Sequence, residues 1–183
     1  LLDPAGLMLD DTASRVFFAV VADLFVGEGY TLAYGAPLRW YAAHDSLATL
    51  PTASLDRVIG RNVDRWLGKD PAARRIRRLQ SEVQMRLYTH PLNDERIAQG
   101  LLPVNSFWLS GCGVAQAVTA HDMQVDERLR APALADNWAG WFKAWETLDA
   151  GPMAECLPTA RAGQPLRLTL CGERASATFA AGP

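Results

Sequence analysis

The hydrophobic positions fall into periodic runs separated by glycine and proline breaks. After Asp10 and Asp11, the residues Val16, Phe17, Val20, Val21, Leu24 and Phe25 recur at helical spacing, so a helix is expected from about 10 to 26, closed by Gly27 and Gly29. Residues 30–34 and 38–42 read as two short strands around Gly35, Ala36 and Pro37, a hairpin pattern. A helix broken at Gly60 is expected over 54–67. Asp70 followed by Pro71 is the best helix start in the chain, and Ile76, Leu79, Val83 and Leu87 continue it as an apolar stripe. Pro91 disfavours helical geometry just before it, so that helix should stop at His90. A short helix over 93–99 with Asn93 as N-cap, a strand over 105–109, a helix over about 132–148, and strands at 166–170 and 175–179 complete the reading.

Composition narrows the class more than the function. A chain of 183 residues that is 49% hydrophobic and 21% charged is ordinary folded material, enough for one domain or a domain plus a lobe. The net charge of −2 argues against general affinity for nucleic acid or membranes. The longest apolar run, 17–26, contains Asp23 and is too short to span a bilayer. Three cysteines without a CxxC pair point to a reducing, cytoplasmic setting. A first residue other than Met and an abrupt end in AAGP suggest a piece of something longer.

Charge is concentrated in one place. Between residues 57 and 78 lie eight basic residues and two acidic ones, a local +6 that leaves −8 for the rest of a chain totalling −2. Arg57, Arg61, Arg65 and Lys69 are four apart, one face if the segment were a single helix. Arg74, Arg75, Arg77 and Arg78 crowd the first turns of the next helix, where cations oppose the dipole and an anion would be welcome. The plain alternative is a solvated face with partners such as Glu82.

Other candidates are weaker. His90 reads as a capping residue. The turn Gly111-Cys112-Gly113 resembles a phosphate cradle but lacks dinucleotide or Walker spacing, and Cys112 reads as a bystander thiol. Trp138, Trp141, Phe142 and Trp145 form an i, i+3, i+4, i+7 stripe that reads as packing. His44, His90 and His121 are too scattered for a metal motif, and no metal ligand or catalytic residue is assigned.

Longer stretches carry a family likeness. LPTASLDRVIGRNVDRWLG (50–68), the run 79–113, DERLRAPAL (126–134) and LTLCGER (168–174) resemble the bacterial RpfE-type regulatory proteins, often labelled phosphoglycerate mutases. More distantly, His90, Pro91, Asn93, Arg96, Gly100, Pro103, Asn105, Trp108, Gly111 and Gly113 are similar to a run in archaeal-type cofactor-independent phosphoglycerate mutases. The resemblance implies an α/β protein in which an α+β lobe, 8–102, is inserted in an alkaline-phosphatase-like α/β core, part of which is 103–183. It implies a regulatory or non-catalytic relative, without a cofactor, that binds a phosphorylated or carboxylate small molecule. Arg57, Arg61, Asn93, Arg96 and Asn105 would then line a cleft between lobe and core. The alternative is an active phosphoglycerate mutase or phosphatase, using two divalent metal ions, whose nucleophile and ligands precede residue 1. Leu170-Cys171-Gly172-Glu173 stands where those mutases carry Asp-His ligands.

Overall fold

The helix nearest the start of the chain forms where the pattern of 16–25 demands it. In the computed structural model, which describes residues 1–117, 123–172 and 175–182, α1 runs Asp11–Gly27. The Asp10 carboxylate accepts the Ala13 amide at 2.7 Å, satisfying one of the donors that a helix start leaves open. Phe17, Val21 and Phe25, four residues apart, are buried on one side. Gly29, at φ +84°, supplies the left-handed geometry that ends the helix.

The chain then turns into an antiparallel hairpin, β1 Thr31–Ala36 and β2 Arg39–Ala43, in register from Thr31↔Ala43 to Ala36↔Arg39. Gly35 has to be glycine, since a Cβ there would stand 2.4 Å from the Tyr41 ring. Tyr34 and Trp40 turn toward α1 and meet Phe18 edge-on at 5.6 and 5.3 Å. Buried Ser14 completes the seam: its hydroxyl donates to the Pro37 carbonyl at 2.7 Å and accepts from the Trp40 indole at 3.2 Å.

Residues 54–67 hold less helix than their pattern suggests. Only α2, Leu55–Val58, and a 3-10 turn, Val63–Trp66, are helical. Gly60 at φ +72° and the Asn62 side chain, which accepts the Asp64 amide at 2.9 Å, break the segment into turns. Arg57, Arg61, Arg65 and Lys69 therefore share no helical face. α3, Pro71–Tyr88, starts as expected, the Asp70 carboxylate accepting the Ala73 amide at 2.9 Å, and stops at the Thr89 cap. Its stripe Ala73, Ile76, Leu79, Val83 and Leu87 is buried. The pairing of Arg78 with Glu28 and of Arg86 with Asp23 shows that α3 runs antiparallel to α1.

α4, Pro91–Ala98, begins two residues earlier than expected. Its N-cap is His90, whose Nδ1 accepts the Leu92 amide at 3.2 Å, and Asn93 lies inside the helix instead of capping it. The strand expected over 105–109 does not form. Side chains anchor that extended segment: Gln80 donates to the Phe107 carbonyl at 3.0 Å and the Trp108 indole to the Ala53 carbonyl at 3.0 Å, while Phe107 packs on Phe25.

The chain divides into two compact units, Leu1–Val118 and Thr119–Pro183. Residues 103–113, expected with the second region, pack within the first unit, and Val104 belongs to its core. In the second unit the helix expected over 132–148 is two: α5, Arg130–Leu134, and α6, Trp138–Leu148. Asp136, at φ +50°, breaks it, and Asn137 caps the restart by accepting the Gly140 amide at 2.9 Å. The helix continues through a π-helical turn, Asp149–Met153, into α7, Ala154–Arg161, which the apolar pattern did not announce. Pro152 lacks the N–H that a regular ladder would need at that turn. β3, Leu166–Cys171, and β4, Ser176–Ala181, pair antiparallel as expected. The α/β expectation holds in its general form: helices and strands are mixed, with two small antiparallel sheets.

Candidate functional site

The residues singled out by the sequence occupy two different environments. Asn93 and Arg96 sit on the inner side of α4 and are 3% and 4% exposed, so neither side chain faces solvent. The Asn93 amide donates to the Leu87 carbonyl at 2.9 Å and the Val104 carbonyl at 2.8 Å, and its oxygen accepts the Val104 amide at 2.9 Å. It thus closes the α3–α4 corner onto the segment that follows. The Arg96 guanidinium donates to the Leu102 carbonyl through Nε and Nη2, at 3.0 and 2.9 Å, and to the Leu7 carbonyl through Nη2. A buried guanidinium bound to carbonyls is a structural clamp, and these two residues do not line a cleft.

Arg57, Arg61 and Asn105 are closer to solvent. Asn105 is exposed and makes no hydrogen bond among the described residues. Arg61 is exposed, and its carbonyl accepts the Leu1 amino group at 3.2 Å. Arg57 is half-buried, with Cζ 4.7 Å from the centroid of the Trp66 ring. Its Nε is buried without a hydrogen-bond partner in the structure.

The basic segment is partly neutralised from a place no local pattern indicates. Glu28, just past the end of α1, pairs with Arg78 and lies 3.8 Å from Arg75, and Arg78 also reaches Glu82 at 3.6 Å. Arg74 donates to the Lys69 carbonyl at 2.9 Å. Arg65, Lys69 and Arg77 make no ion pair among the described residues. Trp66, as the platform for Arg57, and Glu28, as the counter-charge of α3, are the two residues that spacing alone did not assign.

Two cavities adjoin these elements. A half-enclosed one of about 30 Å³ lies among Thr52, Trp66, Leu67, Gly68, Gln80 and Trp108. That is room for a water molecule and far below the roughly 300–1,000 Å³ of small-molecule pockets. An open groove of about 570 Å³ runs between α1 and α3, lined by Leu24, Ser81, Glu82, Met85 and Arg86. None of Arg57, Arg61, Asn93, Arg96 and Asn105 lines either one.

At the Gly111-Cys112-Gly113 turn, the Cys112 amide donates to the Thr52 hydroxyl at 3.4 Å and so is already engaged. Burial pushes the Cys112 thiol above its ordinary value, with the Thr52 hydrogen bond acting the other way. This is the setting of an unreactive thiol. The stripe on α6 that reads as packing is only partly covered: Trp138 meets Trp141, and Trp141 meets Trp145, at 6.2 and 5.9 Å, yet Trp138 and Phe142 are 63% and 66% exposed. Among the described residues no three His, Cys, Asp or Glu side chains cluster to hold a metal ion, and no helix is long and apolar enough to cross a membrane. His121, Asp122 and Glu173 lie outside the described residues. No protein-family model, curated protein or solved structure matches the chain.

Proposed function

We propose that this chain is a regulatory, non-catalytic relative of the cofactor-independent phosphoglycerate mutases, of the RpfE type, that binds a phosphorylated or carboxylate small molecule on its basic surface. The observation that carries the reading is the state of Arg57. Its guanidinium is held over Trp66 with a buried Nε that has no partner. A guanidinium fixed on an aromatic face keeps its planar fork in place for an anionic oxygen. Arg65 and Lys69 flank Trp66 in sequence and are exposed. The likeness of 90–113 to the mutases supplies the ligand class. The lobe-in-core architecture and the cytoplasmic setting belong to the same reading and rest on that likeness and on the cysteine count.

Isothermal titration with 3-phosphoglycerate, and with inorganic phosphate for comparison, tests the proposal. Saturable heat is expected that weakens with added salt, is lost in Arg57→Ala, and strengthens in Glu28→Gln, which removes the counter-charge of Arg75 and leaves Arg78 with Glu82 alone. Absence of heat with the wild-type chain would sink it.

A further inference from the structure

Both described histidines cap a turn through the same ring atom. His90 Nδ1 accepts the Leu92 amide at 3.2 Å, and His44 Nδ1 accepts the Ser46 amide at 3.0 Å with the Ser46 hydroxyl at 2.8 Å. A ring nitrogen accepts an amide N–H only through its lone pair, so in each ring the proton of the neutral form sits on Nε2. We propose that the two caps form an acid-sensitive latch: protonation of His90 and His44 removes their capping bonds, and the α3–α4 corner and the turn after β2 loosen before the core does.

His90 stands between the C-terminal end of α3 and the N-terminal end of α4. The Phe17 ring of α1 lies 5.7 Å away at a 59° tilt, and Asp94 occupies the first turn of α4. Protonation at Nδ1 sets an N–H against the N–H of Leu92. His44 faces the Tyr30 ring at 4.5 Å and precedes Asp45. When it is protonated, the Ser46 hydroxyl can turn round and accept, but the Ser46 amide cannot. Neither histidine makes an ion pair among the described residues. His90 has the larger consequence, because the helix it caps carries the Asn93 clamp on Leu87 and Val104.

Amide hydrogen exchange, corrected for the intrinsic effect of pH, reads the latch residue by residue. Between pH 7.5 and 5.5, protection at Leu92 and Ser46 should fall about fivefold, the size of one lost cap. His90→Asn keeps a capping acceptor that does not titrate, so Leu92 should lose its pH dependence while Ser46 keeps it. His44→Asn should do the reverse. Equal pH dependence in the variants, or none in the wild type, overturns the proposal. Nitrogen NMR of the wild-type histidines gives a check that needs no variant: at pH 7.5 a proton on Nδ1 of His90 and His44, in place of Nε2, overturns it too.

Discussion

Replacing Asn93 by alanine is the sharpest test of how the first unit holds together. The side chain makes three hydrogen bonds, all buried, and the alanine methyl makes none. The Leu87 carbonyl is the least affected, because it still accepts the His90 amide at 3.1 Å. The Val104 N–H and C=O have no other partner among the described residues, so both are orphaned in a buried place. An unsatisfied buried group costs about 1–3 kcal/mol, which puts the loss for the two at about 2–6 kcal/mol. With a urea slope of about 2 kcal/mol per molar, the midpoint should fall by about 1–3 M. Asn93→Asp is the informative companion at pH 7: it keeps an acceptor for Val104 but turns a carboxylate toward two carbonyls, and should be at least as damaging. Asn105→Ala, at an exposed position, should stay within about 0.5 kcal/mol. A midpoint for Asn93→Ala no lower than that of Asn105→Ala would refute the reasoning.

Two further outcomes are expected. Hydrogen bonds from Arg86 and from Arg15 hold the Asp23 and Asp11 carboxyls below the usual carboxylate value; such groups stabilise above that value and stop doing so as pH falls through the lowered one. Thermal melts from about pH 5 down to pH 2 should therefore show a loss below about pH 4 that is smaller in Asp23→Asn. Iodoacetamide at pH 8, followed by peptide mass spectrometry, should label exposed Cys156 and Cys171 well before Cys112, whose thiol is partly buried and raised; preferential labelling of Cys112 would contradict the inert reading of that turn.

The elements that local chemistry determines were legible in the sequence. α1, α3 and both hairpins follow from caps, apolar spacing and turn glycines, all of which act within a few residues. What escaped depended on distant partners or on backbone detail. The 105–109 segment has the composition of a strand, but Gln80 and Trp108 tie it to the fold through side-chain bonds that no periodicity records. Asn93 has the features of an N-cap, and only the position of Val104 shows that it works as a clamp. For the arginines of α3 the sequence offers only a neighbour such as Glu82, and Glu28, fifty residues before Arg78, is found against it only in the structure. Asp136 in the left-handed region breaks the helix expected over 132–148, and the aromatic stripe begins only after it.

The antiparallel pairing of α1 with α3 sets an order of events during synthesis. Arg86 bonds to the Val20 carbonyl across 66 residues of chain, and the row Phe17, Val21 and Phe25 shares one buried cluster with Ile76, Leu79, Val83 and Leu87 of α3. The β1–β2 hairpin, made soon after α1, meets Phe18 through Tyr34 and Trp40 and brings Leu32 and Ala42 to the cluster, but the α3 part of that cluster is still missing. At a translation rate of roughly 5–20 residues per second, the row waits about 3–13 s for α3 to emerge. During that interval the nascent chain presents two phenylalanines and a valine on one helical face, and its exposure to chaperones and to aggregation is set by the length of the connection, whatever the final stability of the fold.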